Sequence, residues 1–133
     1  MSQPLILGMG CDRGTPLETL ETAIDQALTR IGRDRTAVTA LATIDKKNDE
    51  IALLALAEQQ GWPLHFFSAE QLAQVTVPNP SAVVLKYMGT PAVAEAAALL
   101  AANTDMTNLL VEKHKHRGAD GKNATVSIVR LNR

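Results

Sequence analysis

A chain passes from strand to helix within a few residues only where the intervening backbone is permissive. Residues 8–16 have that character, with Gly8, Gly10 and Gly14 placed between an apolar run and an amphipathic helix. Upstream, residues 4–8 are short, apolar and bounded by Pro4 and Gly8, which predicts a buried strand. Downstream, Thr15 is placed to cap the N3 amide, Pro16 to fill the first helical position, and Glu18 to complete a capping box. Cys11 and Arg13 therefore fall just ahead of a helix N-terminus, whose unpaired N–H groups and partial positive charge favour an anion.

Beyond this junction the hydrophobic period alternates between that of helix and strand. Leu17, Leu20, Ile24, Ala27, Leu28 and Ile31 share one helical face, and Gly32 ends the helix. Residues 37–44 read as a second buried strand, and strand–helix–strand implies a parallel crossover. Residues 51–57 are apolar on nearly every face, so this helix is expected to be covered on both sides until Gly61 and Pro63 stop it. Residues 64–67 make a third strand, and Ser68 with Gln71 repeats the capping-box pattern. After an extended connection over residues 75–80, a short helix over 81–88 ends at Gly89, and Thr90 and Pro91 open a helix rich in alanine. Residues 109–111 and 124–130 are the last strands, joined by a polar loop over 113–123 that suits an antiparallel pair. The expected fold is α/β: a single domain over residues 1–133, with three layers and a mixed, mainly parallel sheet of about five strands flanked by helices.

Composition narrows the function. At 133 residues with a net charge of −1 there is no basic footprint for nucleic acid, and the scarcity of aromatic residues leaves little surface on which bases could stack. The single cysteine cannot form an internal disulfide, and the sequence has neither a basic-then-apolar leader nor an apolar run of spanning length. A cytoplasmic protein with no membrane or nucleic-acid partner is expected.

Several side chains carry both a bland and a functional reading. Cys11 is either a small buried hydrophobe or a thiol lining the site, with a lowered pKa beside Arg13. Asp45, Lys46, Lys47 and Glu50 follow the second strand at the carboxyl edge, where open α/β sheets bind ligands. Asp45 could cap the next helix and Glu50 complement its dipole, or the group could bind a carboxylate and move a proton. Glu95 either complements a helix dipole or is a partly buried acid–base group. His114 and His116, two residues apart, are too few for a metal site, and Lys113 is the member of that basic segment placed at a strand end. No metal or cofactor is expected.

Taken in order, these pieces resemble one family. Gly8-x-Gly10-Cys11-x-Arg13-Gly14-Thr15, then Ile44-Asp45 with Lys46, Lys47 and Glu50, then the run from Pro80 and Ser81 to Gly89 are followed by Val93, Glu95 and Ala96 to Ala98. Together with Lys113 and residues 124–129, they are similar to the family of CobE proteins and CbiG C-terminal domains from cobalamin biosynthesis. The family pattern often has two arginines after the cysteine, where this chain has Asp12 and Arg13, and one lysine where it has Lys46 and Lys47. The resemblance implies binding or processing of a precorrin or corrinoid, a tetrapyrrole bearing many carboxylates. CbiG-type proteins open a ring lactone and release acetaldehyde but carry further N-terminal regions, so the resemblance points to the stand-alone CobE type.

Under that resemblance Gly10, Cys11, Arg13, Gly14 and Thr15 would form one wall of the site, Asp45, Lys46, Lys47, Ser81, Gly89 and Lys113 would contribute further contacts, and Glu50 or Glu95 would supply acid–base groups. The strand–helix order is expected to bring the loop, Asp45 to Glu50, Glu95 and Lys113 to one edge. Two other classes stay open. One is a nucleotide- or dinucleotide-binding domain, with Gly8, Gly10 and Gly14 as a loosened fingerprint and Asp45 on a ribose. The other is a non-catalytic partner of another enzyme of the corrin pathway.

Overall fold

The computed structural model describes residues 4–45, 49–75 and 93–131. The expectations for Lys46, Lys47, the helix over 81–88, Ser81, Gly89 and the Thr90–Pro91 helix start lie outside them. The described elements are β1 (Leu5–Cys11), α1 (Leu17–Arg30), β2 (Val38–Ile44), α2 (Ile51–Gln60), β3 (Leu64–Phe67), α3 (Ala69–Ala73), α4 (Val93–Ala102), β4 (Leu109–Arg117) and β5 (Asn123–Arg130).

The five strands form one sheet in the order β3-β2-β1-β5-β4. β1 and β2 pair in parallel, as do β2 and β3, whereas β5 runs antiparallel to both β1 and β4. Four strands thus point the same way and β5 alone is reversed, which gives the mixed, mainly parallel α/β sheet expected from the sequence. The carboxyl ends of β1, β2, β3 and β4 and the start of β5 all meet at one edge.

Each face of the sheet has its own core. Leu5, Leu7 and Met9 of β1 join Leu20, Ile24 and Leu28 of α1 and Leu53 and Leu56 of α2 on one face. Ile6, Ala40, Ala42, Ile44 and Val129 meet Ala96 to Leu99 of α4 and Leu72 of α3 on the other. A fully buried leucine at such a position contributes about 2 kcal/mol of transfer free energy. α2 departs from expectation: Leu53, Leu56 and Ala57 are buried, but Ile51 is 83% and Leu54 40% exposed, so one face only is covered by the described residues.

The glycines explain why β1 runs three residues further than its apolar run. A Cβ on Gly8 would lie 1.8 Å from the carbonyl oxygen of Ala94 and 2.9 Å from Cβ of Ala98, so α4 rests directly on the strand backbone. At Gly10, on the same face, Cβ of Thr125 at 3.9 Å is the one neighbour within 4 Å among the described residues. Gly14 alone of the three has a positive φ, +74°, and makes the actual turn.

The helix start is also different. The hydroxyl of Thr15 donates to the carbonyl of Asp12 at 2.6 Å, closing the turn instead of capping α1. Pro16 occupies the N-cap position with no side-chain cap, and the proposed box with Glu18 is not made. The Ser68–Gln71 box ahead of α3 is made in full.

Candidate functional site

At the carboxyl edge the turn after β1 is clasped from two sides. Gly14 donates its backbone N–H to both carboxylate oxygens of Glu50, at 2.7 and 3.2 Å. The guanidinium of Arg13 holds Asp49 at 2.6 Å and lies 3.9 Å from Glu50. From the other side Lys122 donates to the carbonyl of Arg13 at 2.9 Å, and Asp12 accepts from the backbone and side-chain nitrogens of Asn123 at 2.8 and 3.1 Å. The turn that the sequence offers to an external anion is therefore filled by the chain's own carboxylates. Glu50 is 6% exposed and acts as a brace between the two strand–helix junctions, not as an open acid–base group.

This clasp brings together Arg13, Gly14, Thr15 and Glu50 of the expected residues and adds Asp12, Asp49, Lys122 and Asn123, none of which the sequence reading placed in the site. Asp12, where the family pattern has arginine, pins the start of β5. Asp49 stood in plain view inside the charged stretch before α2, and its pairing across 36 residues with Arg13 has no local signature. Cys11 packs against the α1 and α2 core. Asp45 is exposed at the end of β2, and the N-cap of α2 is Glu50, so Asp45 does not cap that helix.

Glu95 and Lys113 form a second cluster, away from the clasp. Glu95 stands in the first turn of α4 with 0% exposure. Neither of its carboxylate oxygens has a hydrogen-bond partner among the described residues. Nζ of Lys113 reaches 3.4 Å from Oε1, at ion-pair distance without hydrogen-bond geometry. Burial pushes the Glu95 carboxyl above the ordinary carboxylate range, Lys113 opposes this, and Glu112 adds to it.

Lys113 is not at a strand end, as expected, but in the middle of β4, because the strand runs through all five residues of the basic segment up to Arg117. Its neighbour His114 faces α1, where Nε2 lies 2.8 Å from Oε1 of Gln26. Among the described residues, then, the single edge cleft resolves into a braced turn against the α1 and α2 layer and a buried ion pair on the α4 face.

Fold and site together define a small open-sheet α/β domain with a charged carboxyl edge and one buried, poorly satisfied carboxyl under α4. Residues 5–129 match the model of the family described as "Cobalamin synthesis G C-terminus", and the chain belongs to that family of cobalamin-biosynthesis proteins. It is 38% identical over 109 residues to the cobalt-precorrin-5A hydrolase of Priestia megaterium, a match covering 82% of this chain and 29% of that protein. The chain thus spans less than a third of that relative. It is 36% identical over 111 residues to Protein CobE of Sinorhizobium sp, covering 82% of this chain and 71% of that one. The crystal structure of CobE, a protein from the cobalamin (vitamin B12) biosynthetic pathway, is similar with a TM-score of 0.82 and 36% identity, over 99% of this chain and 93% of that chain.

Proposed function

We propose that this chain binds a polycarboxylated precorrin or corrinoid intermediate in the cytoplasm, on the α4 side of the carboxyl edge, with Glu95 as its proton-transfer group. The observation that carries the reading is the state of Glu95: fully buried, without a hydrogen-bond partner among the described residues, and 3.4 Å from one ammonium group. An ionised carboxylate left in that environment is costly, and a carboxyl whose pKa burial raises is suited to give and take a proton. Lys113 supplies the compensating charge when Glu95 is ionised.

One further feature supports this placement. Among the described residues only Cβ of Thr125 comes within 4 Å of a Cβ at Gly10, so a flat ligand could approach the backbone closely there. The name of the Priestia relative, a hydrolase acting on cobalt-precorrin-5A, makes proton transfer during hydrolysis the chemistry to test first.

The test is an absorbance titration of the purified chain with a cobalt-precorrin or a hydrogenobyrinic-acid-type tetrapyrrole. A saturable spectral shift is expected, with affinity lowered about tenfold in Lys113→Met, as for loss of one charge-assisted contact. Glu95→Gln should bind but slow any conversion by about a hundredfold or more. Absence of a spectral shift with the unaltered chain would overturn the reading, and unchanged conversion in Glu95→Gln would leave a carrier that assists another pathway enzyme.

A further inference from the structure

The register of β4 with β5 shifts twice, between Leu109 and Val111 and again between Val111 and His114. Val111 pairs with Ile128 and His114 with Val126, so Glu112 and Lys113 together stand opposite the single residue Ser127. Val111 belongs to the core under α1, and without the second shift Lys113, two residues on, would face that same side. The extra residue reverses the alternation, sending Lys113 to the α4 face and His114 to α1.

Ser127 lies at the centre of this irregularity. It pairs with Gly8 across β1 and β5, is 0% exposed, and donates its hydroxyl to the carbonyl of Glu112. A bulge disrupts the ladder locally, and a side-chain donor to the bulged backbone holds its geometry. The side chain at position 127 provides one at the residue that precedes Lys113.

We propose that Ser127 is a positioning residue: by holding the Glu112 carbonyl it fixes the β4 bulge in the geometry that delivers Lys113 to Glu95. The bearing of this on chemistry rests on the reading of Glu95 given above, whereas the geometric coupling stands apart from it. Alanine at 127 would leave the Glu112 carbonyl without that donor and free the bulge to shift, withdrawing the ammonium from the buried carboxyl. Glu112 shares the bulge, so its carboxylate moves with the same rearrangement.

Titration of Glu95 by carbon-13 NMR in the side-chain-labelled protein, with no ligand present, tests this directly. Ser127→Ala should move the Glu95 titration to higher pH, as should Lys113→Met. In the Lys113→Met background Ser127→Ala should move the titration much less, by no more than the displaced Glu112 carboxylate contributes. Ser127→Cys keeps a weak donor of similar shape and should give a smaller shift in the same direction, which preserves the test if the alanine variant folds poorly. An unchanged Glu95 titration in a folded Ser127 variant, or an equal shift with and without Lys113, overturns the proposal. Failure of corrinoid binding with this coupling intact would instead count against the functional reading alone.

Discussion

The carboxylate of Glu50 lies across the backbone amide of Gly14, 36 residues earlier in the chain, and accepts from it at 2.7 and 3.2 Å. This contact ties the β1–α1 turn to the start of α2 and occupies the one glycine of the junction with left-handed backbone. Glu50→Ala should remove the net contribution of this charge-assisted contact to Gly14, which is itself exposed, lowering stability by about 1 kcal/mol in urea denaturation. Glu50→Gln keeps one acceptor oxygen and should lose less. Amide exchange at Gly14 checks the assignment: it should accelerate in the alanine variant and stay near its original rate in the glutamine variant.

Gly8 and Gly10 stand two residues apart on the same face of β1 and should respond differently to the same substitution. Gly8→Ala places a methyl group inside the space of the Ala94 carbonyl, so α4 must lift from the sheet. The overpacking cost is expected to be about 3 kcal/mol or more, or failure to fold, read as a lowered denaturation midpoint. Gly10→Ala meets only Cβ of Thr125, at 3.9 Å, among the described residues and should leave the midpoint nearly unchanged. If ligand approaches the backbone at Gly10, that variant should bind corrinoid more weakly at unchanged stability.

The order of elements could be read from the sequence because β1, β2 and α1 carry clean hydrophobic periods and because Gly32 and Gly61 mark helix ends at positive φ. What misled was the meaning of individual residues. Gly8 and Gly10 looked like a turn, whereas Gly8 serves the close approach of α4, a helix 86 residues away in sequence whose position no local pattern reports. Residues 113–117 looked like a loop because they are polar, yet an edge strand is where charged side chains are favoured, since they discourage pairing with another chain. The candidate site was legible as a set of residue types. Its division into two clusters was not, because the face on which Lys113 lies depends on a bulge in a strand pairing that the sequence does not display.

His114 gives the fold a pH response on the acid side. Its Nε2 lies 2.8 Å from Oε1 of Gln26, which fits a donor at that nitrogen, and its Nδ1 lies 3.5 Å from the guanidinium of Arg30, so the neutral ring fits the site. Burial first, then Arg30 and His116, hold its pKa below the ordinary 6.5. The unfolded chain therefore takes up a proton at a higher pH than the folded one. Stability from this group is lost as pH falls from 6.5 through the folded value, and is complete above 6.5. His114→Gln should flatten the urea midpoint in that window and leave it little changed at pH 8.

Glu95 should produce the opposite slope. Its folded pKa is raised above the ordinary 4.5, chiefly by burial, so between 4.5 and the folded value the native state holds a proton that the unfolded chain has released. Stability is highest below 4.5 for this group and declines as pH rises through the folded pKa, above which the native state carries a buried charge beside Lys113. Glu95→Gln has no such ionisation and should remove the decline, leaving the variant more stable than the unaltered chain at neutral pH. Lys113→Met removes the compensating cation and should extend the decline to higher pH. Urea midpoints for the three proteins from pH 4 to 8 decide the matter, because a carboxyl stabilised as the anion would give a rising curve for the unaltered chain and a destabilised glutamine variant. A falling curve abolished by Glu95→Gln would establish that the fold bears a standing cost at Glu95, the signature of a group kept for chemistry instead of stability.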